Sequence, residues 1–302
     1  MSSAASVWNN RVRVGRTSPD PDSFGQGAPP TVVHDRRNSR EREEVMDQSG
    51  KILTVVTNVD QYDRVGFRTG LWLGELTHFW DAVEEHGFRC DIASPSGGWV
   101  PLDPQGLMLP EMGHNSRLGG DVTDHYRDKQ FMDRLNHTLP LAEASAADYD
   151  AIYLAGGHGT MWDFGSPELG QLLAEFYQSG KVVSAVCHGP VGFMEAKLSD
   201  GRWLVQDKDL TAFSWAEEKA DNRDDVVPFN LEEELKARGA RYTKALAPFG
   251  KHVVEDGLLI TGQNPASARG VGEAVARALR HAAPLNADRE RSPLRQEAAV
   301  SP

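Results

Sequence analysis

Between residues 51 and 283, short runs of apolar residues alternate with amphipathic stretches of helical length. Lys51-Ile52-Leu53-Thr54-Val55-Val56-Thr57 is rich in β-branched residues and reads as a buried strand over Ile52–Thr57. Leu71–His86 has helical spacing and closes on Gly87, and Cys90–Ala93 is a short strand. A further helix is expected around Asp128–Asn136, then a strand Ala151–Ala155 ending in Gly156-Gly157. Pro167–Ser179 reads as a helix stopped by Gly180, and Val182–Val186 as the strand that follows it. Two β segments are expected at Trp203 and at Thr211–Phe213. A helix at Leu231–Arg238, a hairpin turning at Asp256-Gly257 and a last helix at Pro265–Ala283 complete the pattern. Alternation of this kind predicts an α/β fold, a doubly wound and mainly parallel sheet with helices on both faces. In such sheets ligands bind at the carboxyl ends of the strands.

The flanks differ in kind. Residues 1–50 are Ser-, Pro-, Gly- and Arg-rich without hydrophobic period and read as a disordered extension; 284–302 read as a disordered tail. The single α/β domain is thus expected over 51–283. Translation from Met46 instead of Met1 would lose nothing foldable. The first 50 residues carry seven Arg and seven acidic residues, which argues against an organelle transit peptide.

Charge narrows the partners. The flanks are each balanced, so the net charge of −12 belongs to the body, which repels phosphate backbones; nucleic acid is not an expected partner. No apolar run approaches the ~20 residues of a membrane span, so no membrane partner is expected. Two cysteines, Cys90 and Cys187, make no disulfide framework and suit a reducing compartment, here the cytoplasm.

The densest chemistry lies in Val182-Val183-Ser184-Ala185-Val186-Cys187-His188-Gly189-Pro190, an apolar strand that stops at a cysteine. A thiol at a sharp strand-to-helix turn sits beside the positive end of the helix dipole, which would lower its pKa and favour thiolate; a buried core cysteine is the plainer alternative. Gly156-Gly157-His158-Gly159 ends another strand, where freed amides can hold an oxyanion or the glycines merely turn the chain. It makes a poor phosphate loop, having no Lys-Ser/Thr after it. Glu75 falls among Trp72, Leu73 and Leu76 at a helix start, where desolvation would raise its pKa for acid/base work; a solvated first-turn glutamate is the alternative. His188 could lend a backbone N–H to an oxyanion or, at a strained elbow, its imidazole to Cys187. An acid would then have to orient that ring, and Glu217 and Glu218 are the candidates. Cys90 reads as core, and His78, His86 and His252 as structural or surface residues.

Four segments together carry a resemblance: Ala185-Val186-Cys187-His188-Gly189-Pro190, Leu154 to Asp163, Thr69 to His78, and Thr261 to Ala268. The chain resembles the ThiJ/PfpI superfamily over about 51–283, with the class I glutamine amidotransferase-like, flavodoxin-like fold and nucleophile elbow. Within it, the chain is most similar to the heat-shock-protein-31-like branch, which includes glutathione-independent glyoxalases. The resemblance implies Cys187 as nucleophile, His188 as its triad histidine, and the amides of Gly157 and His188 as oxyanion hole. It implies Glu75 as the carboxyl that touches the thiol and shuttles protons, and Glu218 as triad acid with Glu217 as fallback. It implies conversion of a 2-oxoaldehyde such as methylglyoxal to a 2-hydroxy acid such as lactate, with no cofactor and no metal, in a homodimer. An amide, peptide or isonitrile hydrolase using the same elbow, or a redox-sensitive holding chaperone of the stress response, are the alternatives. A glutamine amidotransferase is not expected, since no synthase domain accompanies the chain.

Overall fold

The structure, a computed structural model, describes residues 50–108 and 122–291, with side chains of the last helix as far as His281. The expectations for residues 1–49, including a start at Met46, and for 292–302 lie outside the described residues. A seven-stranded sheet organises the rest, in the order β3-β2-β1-β4-β5-β9-β8. Its strands are β1 (Lys51–Val55), β2 (Arg89–Ser94), β3 (Leu139–Pro140), β4 (Ala151–Leu154), β5 (Val182–Val186), β8 (Val253–Asp256) and β9 (Leu259–Gly262). All neighbours pair in parallel except β8, which returns antiparallel on β9 through the Asp256-Gly257 turn. β6 (Asp209–Leu210) and β7 (Arg241–Tyr242) form a separate parallel pair.

Parity along each central strand divides the core in two. Leu53 and Val55, Ile152 and Leu154, and Val183 and Ala185 join one apolar cluster with Phe164, Leu173, Phe176 and Phe193. Ile52 and Val56, Ala151 and Tyr153, and Val182 and Val186 join the other, with Leu76, Phe79, Val271 and Val275. Burial on both faces is why these strands read as unbroken apolar runs. The first face is covered by α2 (Pro167–Gln178), the second by α1 (Leu73–Glu84) and α4 (Ala268–Arg291). The chain winds from β1 outward through β2 to β3, then crosses back to β4 and β5. That reversal puts a crevice at the carboxyl ends of β1, β4 and β5, where the candidate site residues lie.

Several elements differ from their sequence-based bounds, each for a local reason. The first helix starts at Leu73, not Leu71, because Leu71 bridges Leu102 and donates its N–H to Pro101 O at 2.8 Å. Around Trp203 there is no strand among the described residues, only a single bridge to Lys197. Thr211–Phe213 leave the small sheet because their amides have other acceptors. Thr211 N–H donates to Thr261 Oγ1 at 2.9 Å, and Phe213 N–H to Cys187 O at 2.8 Å. The last helix opens with a 3₁₀ turn at Pro265–Ser267 and runs to Arg291, past the expected end at 283, so the tail read as disordered from 284 begins helical. Among the described residues no helix is long and apolar enough to cross a membrane.

α4 crosses α1 at Gly272, where a Cβ would stand 2.8 Å from Ala82 Cβ and 2.9 Å from Phe79 O. Gly272→Val is expected to force the two helices apart and destabilise the fold by about 1–3 kcal/mol. A urea titration followed by circular dichroism measures this as a lowered midpoint.

Candidate active site

Cys187 follows β5 with φ 57°, a left-handed conformation that is strained for a residue with a side chain. Two hydrogen bonds hold it: its N–H donates to Gly262 O at 2.9 Å, and its carbonyl accepts from Phe213 N–H. The 3₁₀ segment Gly189–Glu195 begins directly after His188. Gly189 is required there, since a Cβ would lie 2.4 Å from Leu154 O. The turn brings the adjacent side chains together, with Cys187 Sγ 3.3 Å from His188 Nδ1.

Glu75 reaches the same place from the first turn of α1 and is fully buried. Its Oε2 accepts from Gly156 N–H at 2.7 Å, its carboxyl adjoins the Cys187 thiol and helps to raise its pKa, and its backbone carbonyl accepts from Tyr153 OH at 2.9 Å. The Tyr153 ring lies flat on Phe79, one helical turn on from Glu75, with centroids 3.6 Å apart. The solvated first-turn alternative for Glu75 therefore does not hold.

Glu217 and Glu218 open α3 (Trp215–Ala220), and both are buried. Glu217 forms a capping box with Ser214 and also accepts from Phe249 N–H, Gln263 Nε2 and Asn264 Nδ2 at 2.8–2.9 Å. It knits loops together. Glu218 instead faces His188, whose Nε2 lies 3.2 Å from Oε1 and 3.4 Å from Oε2. Geometry separates the two candidates: Cys187, His188 and Glu218 form one hydrogen-bonded chain, and Glu217 stands outside it.

Gly157, in the turn after β4, has φ 106°, and a Cβ on it would meet Gly70 O at 2.1 Å. Gly156 is as confined, its hypothetical Cβ lying 2.6 Å from Glu75 Oε2, 2.9 Å from Cys187 Cβ and 2.9 Å from His188 N. The turns after β4 and β5 are thus in contact, which brings Gly157 and the His188 amide to one crevice edge. His158 was not among the residues singled out for its side chain, yet its Nε2 lies 2.7 Å from Glu218 Oε1 and its ring 4.2 Å from that of His188. The available signal was position: a histidine in a glycine turn at the same sheet edge as Cys187. Donor atoms of His158, His188 and Glu218 lie within 4.8 Å of one another and are of metal-ligand type, but both imidazoles already face the carboxylate at hydrogen-bond distance. Cys90 lies in the core, as its strand position predicts.

The electrostatics correct one expectation. The Cys187 thiol is pushed well up, not down, first by burial and then by Glu75, with Glu217 and Glu218 adding to it. A short 3₁₀ segment does not offset burial among carboxylates, so the resting thiol holds its proton. Burial would raise Glu218, but His188 and His158 outweigh it and hold this carboxyl far below its ordinary value.

The chain belongs to the DJ-1/PfpI family, whose pattern spans residues 70–278. It is 31% identical over 230 residues to the glutathione-independent glyoxalase HSP31 of Saccharomyces cerevisiae, covering 72% of this chain and 93% of that protein. Among solved structures, the Francisella tularensis Rapid Encystment Protein 24 kDa superposes with TM-score 0.70 at 33% identity, over 76% of this chain and 99% of that one. Glyoxalase III from Candida albicans superposes with TM-score 0.67 at 26% identity, over 76% and 97% of the two chains.

Two outcomes follow from this packing. Gly156→Ala must displace Glu75 or the elbow, and is expected to lower the unfolding midpoint in calorimetry by an amount equivalent to about 1–3 kcal/mol. Glu218→Gln removes the carboxylate that two buried imidazoles face, at an expected cost of about 3–5 kcal/mol near neutrality. Because Glu218 titrates lower in the folded chain than in the unfolded one, the stability it contributes is present above its ordinary value of 4.5 and lost as pH falls through the folded value. Urea midpoints of wild type and Glu218→Gln should therefore converge as pH drops below about 4.5; parallel curves would refute the assignment.

Proposed function

We propose that this protein is a glutathione-independent glyoxalase, a lyase of the D-lactate dehydratase type, that converts a 2-oxoaldehyde such as methylglyoxal to a 2-hydroxy acid such as lactate. One observation carries the reading: the buried Cys187 thiol stands beside a carboxyl, Glu75, and 3.3 Å from an imidazole nitrogen, His188 Nδ1. The relatives named as glyoxalases, aligned over most of their length, support it. So does the burial of Cys187, Glu75 and His188, each no more than 3% exposed, which suits a substrate of a few heavy atoms.

In this mechanism His188 Nδ1 takes the thiol proton as Sγ bonds to the aldehyde carbon. The carbonyl π pair moves to oxygen, where the amides of Gly157 and His188 would hold the charge. Protonation of that oxygen gives a hemithioacetal. Glu75 then removes the proton from the carbon bearing sulfur, the electron pair shifts toward the neighbouring ketone oxygen, and an enediol forms. Return of a proton to the former ketone carbon gives a 2-hydroxy thioester. Water cleaves its C–S bond, the acid leaves, and Sγ regains its proton. One carbon is oxidised and its neighbour reduced, so the balance requires no external hydride acceptor.

The same proposal places the protein in the cytoplasm, where its two free, buried cysteines would stay reduced. It includes a homodimer, for which Phe67, Trp99, Leu246 and Phe249 are exposed apolar side chains available to a second copy. Purified protein given methylglyoxal without glutathione should consume it and yield lactate, measured by 2-oxoaldehyde derivatisation and a lactate-oxidising assay. Cys187→Ala should abolish both readings, and Glu75→Gln should lower kcat by about a hundredfold or more. Loss of methylglyoxal without lactate, or lactate formation by Cys187→Ala, would rule the mechanism out.

A further inference from the structure

The Glu218 carboxylate is asked to serve two rings. His158 Nε2 lies at 2.7 Å from Oε1 and His188 Nε2 at 3.2 Å from the same atom, so the shorter bond belongs to the ring that does not touch the thiol. The two imidazoles lie 4.2 Å apart at 41°, and the three side chains are each at most 5% exposed. Two imidazolium ions at that separation, out of water, repel strongly, and one carboxylate balances only one of them. The question is which ring takes the charge.

The surroundings answer it. His158 faces Glu218 directly, with Asp103 and Asp221 as further acidic neighbours; the rings of Tyr62 and Phe213 also flank it, with centroids 5.5 and 6.0 Å away, and the Arg223 guanidinium lies 5.7 Å from the Tyr62 ring centroid. Burial pulls the His158 imidazole down, but Glu218, Asp103 and Asp221 overcome it and its net shift is upward. His188 shifts the other way, through burial and the positive neighbour His158, against the pull of Glu218 and Glu217. Phe213 neighbours both rings but stands closer to His188, at 4.5 Å against 6.0 Å from His158.

We propose that His158 is a positioning residue for the glyoxalase chemistry: by occupying the nearer hydrogen bond of Glu218 it holds the shared positive charge, and leaves His188 neutral with Nδ1 open to the thiol proton of Cys187. Glu218 then orients His188 through Nε2–H without turning it into an imidazolium. His158 makes no contact with the reacting atoms and acts only through Glu218 and His188. This inference rests on the proposed reaction for its kinetic consequence, but the distribution of protons does not depend on any substrate.

The test uses the full chain with ¹⁵N-labelled histidine, followed by NMR without substrate, and the pH dependence of kcat/KM on methylglyoxal. In wild type at neutral pH, His158 is expected to be doubly protonated and His188 neutral with Nδ1 unprotonated. In His158→Gln, which keeps a hydrogen-bond donor but not the charge, removing a nearby positive charge raises the midpoint of His188 by about one pH unit. The acid limb of kcat/KM should move up by the same amount, about a tenfold loss below the limb, while the plateau above it changes little. A neutral His158 in wild type overturns the proposal, and that arm needs no variant to fold. An unmoved His188 midpoint in the variant, or a kcat/KM lowered by one factor at every pH, overturns it too. Should wild type form no lactate, the glyoxalase reading fails, and the NMR titration still decides the placement of the proton.

Discussion

Everything in the crevice depends on how closely the turn after β4 approaches the turn after β5. At Gly156 the space for a side chain is already taken by Glu75 Oε2, Cys187 Cβ and the His188 amide. Only a glycine lets a helix residue, an elbow residue and a backbone amide meet at one point. The parallel pairing of Leu154 with Ala185 sets these turns side by side, and the two-faced burial of β4 and β5 fixes that register. The strain at Cys187, of order 1–3 kcal/mol, is held by Gly262 O on one side and Phe213 N–H on the other. The sheet thus supplies the rigidity that an unfavourable backbone angle needs.

Buried charge is the second constraint, and two adjacent glutamates solve it differently. Glu217 is surrounded by neutral donors from Ser214, Phe249, Gln263 and Asn264, which satisfy a carboxylate without titrating. Glu218 is met by two imidazoles, which can exchange protons with it. The first arrangement ties the loop bearing Phe249 and the segment after β9 to α3 and belongs to stability. The second is costly to assemble and sensitive to pH, which is what a proton-handling site requires. Residue type alone does not distinguish these two roles; the partners do.

Much of the fold was legible because burial writes itself into sequence. β1, β4 and β5 showed as apolar runs, and α2 showed its Pro start and its Gly stop. Short elements were less legible, since Thr211–Phe213 look like strand yet spend their amides on Thr261 and on the elbow. Site residues at strand ends, Cys187, Glu75 and Gly157, could be placed on one edge from alternation alone. The choice between Glu217 and Glu218 could not, because it turns on which face of α3 meets His188. His158 was hidden by its glycines: the turn explained itself without the side chain. The thiol's upward shift was hidden as well, because burial among three carboxyl groups is a property of the assembled crevice.

That upward shift bears on how Cys187 would act in the proposed reaction. A thiol permanently ionised in a dry crevice beside Glu75 would place two anions in contact. Keeping the proton on Cys187 until a carbonyl carbon arrives avoids that conflict. In the proposed reaction the negative charge then appears on the substrate oxygen instead, where the amides of Gly157 and His188 would hold it. For this to work His188 must accept a proton at the moment of attack, so it must not hold one beforehand. A neutral His188, an ionised Glu218 and a second ring to balance that carboxylate are therefore one electrostatic requirement, met by residues from the turns after β4 and β5 and from α3.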